Sequence, residues 1–170
     1  MLLGSERLIA SPRLNGLRVG VLANPASIDH GFRHIVDRLG TSPDYKLAAI
    51  FGPQHGFRSD LQDNMIESPH AKDQRRNVPI FSLYSETREP TPEMLDLIDV
   101  LVIDLQDVGA RIYTFIYTMA NCCAPPRGKD SPSSSATGPI RSAVWPSKGP
   151  YSRTTSGRSW ASTRSRPGTA

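Results

Sequence analysis

The chain has 170 residues, 38% of them hydrophobic, and a formal net charge of +4, a length that suits one domain. The charge is split: residues 1–124 hold 12 Lys+Arg and 15 Asp+Glu for −3, and residues 125–170 hold 8 Lys+Arg and one Asp for +7. The basic balance therefore belongs to the tail, which removes the charge argument for a nucleic-acid partner of the folded part, and no apolar run reaches the ~20 residues of a membrane span.

Met1-Leu-Leu-Gly4 is too short for the apolar segment of a secretory leader, and Glu6 and Arg7 interrupt it. No signal is expected, which leaves the chain in the cytoplasm by default. Leu8 to Leu14 reads as a lead-in whose helix ends at Pro12. Leu17 to Ala23 is a short apolar strand, stopped by Asn24-Pro25. Phe32, Ile35, Val36 and Leu39 fall at helical spacing, which predicts a helix over 32–39 ending at Gly40. Lys46 to Phe51 and Val78 to Leu83 are the second and third strands. Thr91 as N-cap, Pro92 at the first helical position and Glu93 in the first turn start a helix that runs to Leu97. Val100 to Asp104 is the fourth strand, nearly all apolar, as expected of a parallel strand covered on both faces. Arg111 to Ala124 is a helix, in which the adjacent Cys122 and Cys123 read as two buried free thiols. This alternation predicts an α/β domain with a parallel sheet and helices on both sides.

Chemistry concentrates after the second strand. In Phe51-Gly-Pro-Gln-His-Gly-Phe-Arg58, two glycines and a proline force a turn. That turn presents the Gln54 amide, the His55 imidazole and the Arg58 guanidinium where a parallel strand ends, and open α/β sheets bind ligands there. Asp60, Asp63 and Glu67 follow in the same long loop, and loops of that length are usually functional or disordered. After the fourth strand, Asp104, Asp107, Gly109 and Arg111 suit a ligand-binding rim. Equally, Asp104 caps the next turn and Asp107 pairs with Arg111. No G-x-G-x-x-G follows the first strand and no G-x-x-x-x-G-K-[ST] occurs, so a nucleotide site loses its main support and no cofactor is expected. His30, His34, His55 and His70 lack a metal-ligand spacing with an adjacent Glu, so no metal is expected.

Four blocks occur in one order: Gly16-Leu-Arg-Val-Gly-Val-Leu-Ala-Asn-Pro25, Phe51-Gly-Pro-Gln-His-Gly56, Ser82-Leu-Tyr-Ser85 with Pro90-Thr-Pro-Glu-Met-Leu95, and Asp99-Val-Leu-Val-Ile-Asp-Leu-Gln-Asp-Val-Gly-Ala-Arg-Ile-Tyr-Thr114. Together they resemble the exo-β-N-acetylmuramidase (NamZ) family, formerly domain of unknown function 1343 and now glycoside hydrolase family 171. The resemblance covers about residues 7–122. It implies the Rossmann-like N-terminal part of a longer protein that hydrolyses terminal β-linked N-acetylmuramic acid from peptidoglycan fragments during cell-wall turnover. It implies a peptidoglycan-derived saccharide as partner, with no nucleic acid and no membrane. Asn24, Arg58, Asp104, Asp107 and Arg111 are then expected at the substrate, with Arg58 and Arg111 suited to pair with a lactyl carboxylate or, equally, to form structural ion pairs. The family's proposed catalytic Glu falls at Gln54, whose amide can hydrogen-bond a sugar but cannot transfer a proton at neutral pH. Either the acid role passes to a neighbour, Glu67 first, with Asp63 and Asp60 behind it, or this branch differs in chemistry, and His55 serves as an orienting group. The chain as written is expected to be inactive. The alternative is a non-catalytic saccharide-binding or defective remnant.

From Pro125 to Ala170 the chain turns to Ser, Thr, Pro, Gly and Arg and loses all periodicity, which predicts a disordered basic tail over 125–170. The genetic code supplies a reason. Regrouping each third base with the next two, from Gly128 to Pro150, permits the string KGLPVVVCDRPNPIGGLAVEGP, an apolar strand followed by a further family-like motif. The tail is therefore expected to be an out-of-frame translation that truncates the family fold near Cys122. A basic tail that binds nucleic acid or wall polyanions is the competing reading, and tracts of this type are commonly just solvated.

Overall fold

The structure, a computed structural model, describes residues 3–58, 69–110, 112–123 and 143–146. Arg18–Ala23 (β1), Lys46–Gly52 (β2), Ala71–Asp73 (β3), Val78–Ser82 (β4), Val100–Asp104 (β5) and Ala143–Pro146 (β6) form one sheet in the order β3-β4-β2-β1-β5-β6. β4, β2, β1 and β5 run parallel, and β3 and β6 flank them antiparallel. The chain moves outward from β1 through β2 to β4, then crosses back to β5 on the other side of β1. The gap between β1 and β5 is therefore the topological switch point, where open α/β sheets hold ligands at the carboxyl ends.

Period-2 alternation sends successive side chains to opposite faces. Val19, Val21, Val100 and Val102 join Leu8, Ile35, Val36 and Leu39 on one side, under Gly4–Ile9 (α1) and Ile35–Leu39 (α2). Leu22, Phe51, Leu101 and Ile103 join Met94, Ile98 and Cys122 on the other, under Pro92–Asp96 (α3) and Phe115–Cys123 (α4). The expected α/β, Rossmann-like sheet with helices on both sides is the observed fold.

The boundaries differ in instructive places. α1 ends at Ile9, and Pro12 opens a separate 3-10 turn, Pro12–Leu14. The helix expected from Phe32 starts only at Ile35, because the Asp29 carboxylate accepts from the Gly31 and Arg33 amides and holds that stretch as a loop. Phe32 itself is left-handed (φ +58°) and 84% exposed. Thr91 does cap α3, its Oγ1 accepting from the Met94 amide at 3.4 Å. α4 begins at Phe115 rather than at Arg111, because a turn closed by Tyr113 N–H donating to Ala110 C=O comes first. Of the two thiols, Cys122 is buried and Cys123 only half-buried, and burial pushes both above the ordinary thiol range.

Within the stretch expected to form the tail, Ala143–Pro146 pairs antiparallel with β5, Leu101 opposite Trp145 and Val102 opposite Val144. Proline is tolerated on edge strands, so the Pro-rich composition does not forbid it. The rest of residues 124–170 lies outside the described residues.

Candidate functional site

At the switch point the first element is a polar clamp. Asn24, the residue after β1, donates from Nδ2 to the Gln106 carbonyl at 2.9 Å and accepts at Oδ1 from the Ser27 hydroxyl at 3.1 Å and the Gln106 amide at 3.4 Å. Ser27 Oγ also accepts from the Asn24 amide at 3.0 Å and contacts the Asp104 carbonyl. Asn24, Ser27 and Asp104 are all buried. The clamp ties the loop after β1 to the loop after β5, so the two carboxyl ends keep a fixed separation.

His34 extends this clamp. Its Nε2 lies 2.9 Å from the Asn24 carbonyl, and its Nδ1 accepts from the Val36 amide at 3.3 Å, capping α2. Neutral imidazole with the proton on Nε2 satisfies both bonds; a second proton on Nδ1 removes the acceptor that the Val36 amide uses. Burial, with lesser contributions from Arg58 and Arg76, holds the His34 pKa below its ordinary value, against the pull of the Asn24 carbonyl and Asp37. The folded pKa is thus lower than the unfolded one. The contribution to stability is then complete above the unfolded value near 6.5 and lost as pH falls below it toward the folded value. Urea midpoints measured from pH 7.5 to 5 should fall, and His34→Gln should flatten that slope. An equal slope in both proteins would refute the assignment.

The second element is the turn after β2. Gly56 N–H donates to Pro53 C=O at 2.9 Å, closing a turn with Gln54 and His55 at its centre. His55 has φ +70°, a left-handed conformation that costs a non-glycine residue about 1–2 kcal/mol. Gly56 follows at φ +75°. The chain folds back so tightly that a Cβ on Gly52 would stand 3.0 Å from the Phe57 nitrogen. Strain kept in a side-chain-bearing turn is a common mark of function. Phe57 anchors the turn in the core, and the exposed Arg58 lays its guanidinium over the Phe57 ring at 5.1 Å.

The third element joins the other two. Gln54 accepts at Oε1 from the Thr114 hydroxyl at 2.9 Å, across 60 positions of sequence. Thr114 stands just before α4, and β1 separates β2 from β5 in the sheet. The Phe51–Gly56 and Asp99–Thr114 blocks therefore meet over the carboxyl end of β1. Between β5 and this contact, Asp107 accepts at Oδ1 from the Gly109 amide at 2.6 Å, so it is Asp107 that caps a turn. Its Oδ2 is buried and has no hydrogen-bond partner among the described residues. That oxygen faces a desolvation cost that a ligand donor or a cation would relieve.

The structure thus gathers Asn24, Gln54, His55, Arg58, Asp104 and Asp107 at one end of the sheet. Arg111, Asp60, Asp63 and Glu67 lie outside the described residues. Sequence reasoning missed Ser27, His34 and Thr114: Ser27 reaches Asp104 and Thr114 reaches Gln54 far along the chain, and His34 folds back onto the Asn24 carbonyl. Among the described residues, no three His, Cys, Asp or Glu side chains gather as a metal site requires.

Comparison with known proteins places these features. The model of the family described as exo-β-N-acetylmuramidase NamZ, N-terminal, matches residues 19–129. The peptidoglycan β-N-acetylmuramidase NamZ of Bacillus subtilis (strain 168) is 47% identical over 108 residues, 64% of this chain and 26% of that protein. Two crystal structures of DUF1343 family proteins from Bacteroides fragilis NCTC 9343 are also similar. One has a TM-score of 0.63 at 40% identity and the other 0.56 at 30%, each covering 72% of this chain and 30% of the solved one. The chain spans about a quarter of the length of the curated relative it matches.

Proposed function

The chain belongs to the exo-β-N-acetylmuramidase NamZ N-terminal family, and from that premise we propose that it carries one wall of a muramidase-type site and binds peptidoglycan-derived saccharides that end in N-acetylmuramic acid. The observation that carries this reading is the Gln54–Thr114 contact, where the Phe51–Gly56 and Asp99–Thr114 blocks converge at the switch point. A glycoside hydrolase of the usual kind needs a proton donor and a second carboxylate flanking the bond. Asp107, whose buried Oδ2 has no partner among the described residues, and Asp104 supply carboxylates on the β5 side. Arg58, exposed and mounted on the Phe57 ring, suits the lactyl carboxylate of muramic acid, with Arg111 as its counterpart. Asn24 is spent on the clamp, and its role is to hold the walls apart.

The same contact favours a second reading for this chain as written. Gln54 stands where the family's proposed acid stands, and its amide orients a sugar without protonating a leaving group. The chain then binds saccharide and does not hydrolyse it. Incubating the 170-residue chain with a chromogenic N-acetylmuraminide should release no N-acetylmuramic acid, while a muramyl disaccharide should still shift its NMR signals saturably. Turnover comparable with the B. subtilis relative would overturn inactivity; the absence of any binding would overturn the site. The out-of-frame reading of the tail belongs to the same proposal, and the gene sequence across the Cys122 codon tests it.

A further inference from the structure

We propose that Tyr113, backed by Phe115, forms an aromatic platform on which a pyranose ring of the saccharide lies beside Gln54; this subsite rests on the saccharide reading above. The two rings stack with centroids 5.4 Å apart and planes within 16°. Phe115 packs against the core beneath α4, so the inner ring is anchored and holds the outer one. Tyr113 is 42% exposed. A ring already fixed in place loses little freedom when a ligand lands on it. Thr114, the residue between the two rings, is the one that donates to Gln54 at 2.9 Å. The residue between the stacked rings thus carries the contact to the Gln54 amide. A pyranose needs that combination: its C–H face is apolar and its rim is hydroxyl and amide. The Thr114 bond engages Gln54 Oε1, and among the described residues the Nε2 donors remain for the rim.

Other rings do not offer the same surface. The half-buried Tyr84 ring is covered by the Arg88 guanidinium at 3.6 Å, and Phe57 is buried and carries Arg58. Tyr117 and Ile112 are more exposed than Tyr113, yet neither has a stacked ring behind it among the described residues.

The test titrates N-acetylmuramyl-β-1,4-N-acetylglucosamine into the full 170-residue chain and reads Kd by NMR. Tyr113→Ala and Tyr113→Leu should each weaken binding about tenfold, the size of a lost aromatic stack. Tyr113→Phe should bind as the parent does, and Tyr117→Ala should serve as an unaffected control. Tyr113→Leu keeps an apolar cover on Phe115, so its result does not depend on the alanine variant folding. Unchanged affinity in Tyr113→Leu, or equal weakening by Tyr117→Ala, overturns the platform and leaves the saccharide reading standing. A parent chain that does not bind the disaccharide removes the saccharide reading and the platform with it.

Discussion

Gln54→Glu should raise muramidase turnover about 10²–10⁴-fold, the range of general acid assistance, in a full-length protein where residues 19–129 of this chain replace the matched stretch of the B. subtilis relative. The chimera supplies the remaining length that the relative has beyond the match. The substitution exchanges an amide for a carboxyl group of nearly the same shape, so the place at the Thr114 hydroxyl is kept. That hydroxyl can donate to a carboxylate or accept from a carboxylic acid, and it fixes the new group in either state. Thr114→Val added to Gln54→Glu should therefore give back part of the gain by loosening the group. If the unsubstituted chimera is already fully active, the acid lies elsewhere, and Glu67 is the first candidate. Glu67→Gln would then abolish activity while Gln54→Glu changes it little. A neutral Glu67→Gln together with a large gain from Gln54→Glu puts the acid at the motif position.

What could be read from the sequence was local. β5 was legible because Val100-Leu-Val-Ile103 is apolar on both faces and a covered parallel strand must be. The Thr91 cap was legible because Thr, Pro and Glu each suit their place at a helix start. The late start of α2 was not, since it depends on Asp29 holding the 31–33 backbone as a loop. β3 is three residues, Ala-Lys-Asp, and exists through its hairpin with β4, turned at the left-handed Asn77 (φ +57°). β6 is four residues in a stretch without periodicity. The site divides in the same way. The turn over Gln54 and His55 announced itself through its glycines and proline. The Gln54–Thr114 contact and the Asn24–Gln106 clamp did not, because each joins loops that the strand order alone brings together. Asn24 reads locally as a residue that stops a strand, and only the placement of β5 beside β1 gives its side chain two further partners.

Arg76→Ala should destabilise the chain by about 3–5 kcal/mol, the usual cost of stranding one member of a buried ion pair, against a total of about 5–15 kcal/mol for a domain. Arg76 is nearly buried and donates from Nη1 to Asp73 at 2.6 Å, and its Nη2 pairs with Asp37 on α2. It crosses over Gly40 at the end of α2, where a Cβ would stand 2.8 Å from its Nε. The guanidinium thereby ties the β3–β4 hairpin to the helix layer. Asp73 is buried at the end of β3, and its Oδ1 also accepts from the Arg75 and Arg76 amides at 2.9 and 3.2 Å. Burial alone would push the Asp73 carboxyl up, but Arg76 and these amides outweigh it and hold it below the ordinary carboxylate range. In the parent, that depressed value adds stability above the unfolded pKa near 3.8, lost as pH falls through the folded one. Without the Arg76 guanidinium only the two amides oppose the burial cost, so the carboxyl rises from its parent value, and the variant's penalty is largest at neutral pH and eases as the group takes up a proton. The gap in urea midpoint between parent and Arg76→Ala should therefore narrow between pH 7 and pH 4. Adding Asp73→Asn to Arg76→Ala should recover part of the loss, because it removes the charge left without a partner. A gap under about 1 kcal/mol, the size of a surface pair, and independent of pH would mean that Arg76 acts only as a solvated tether.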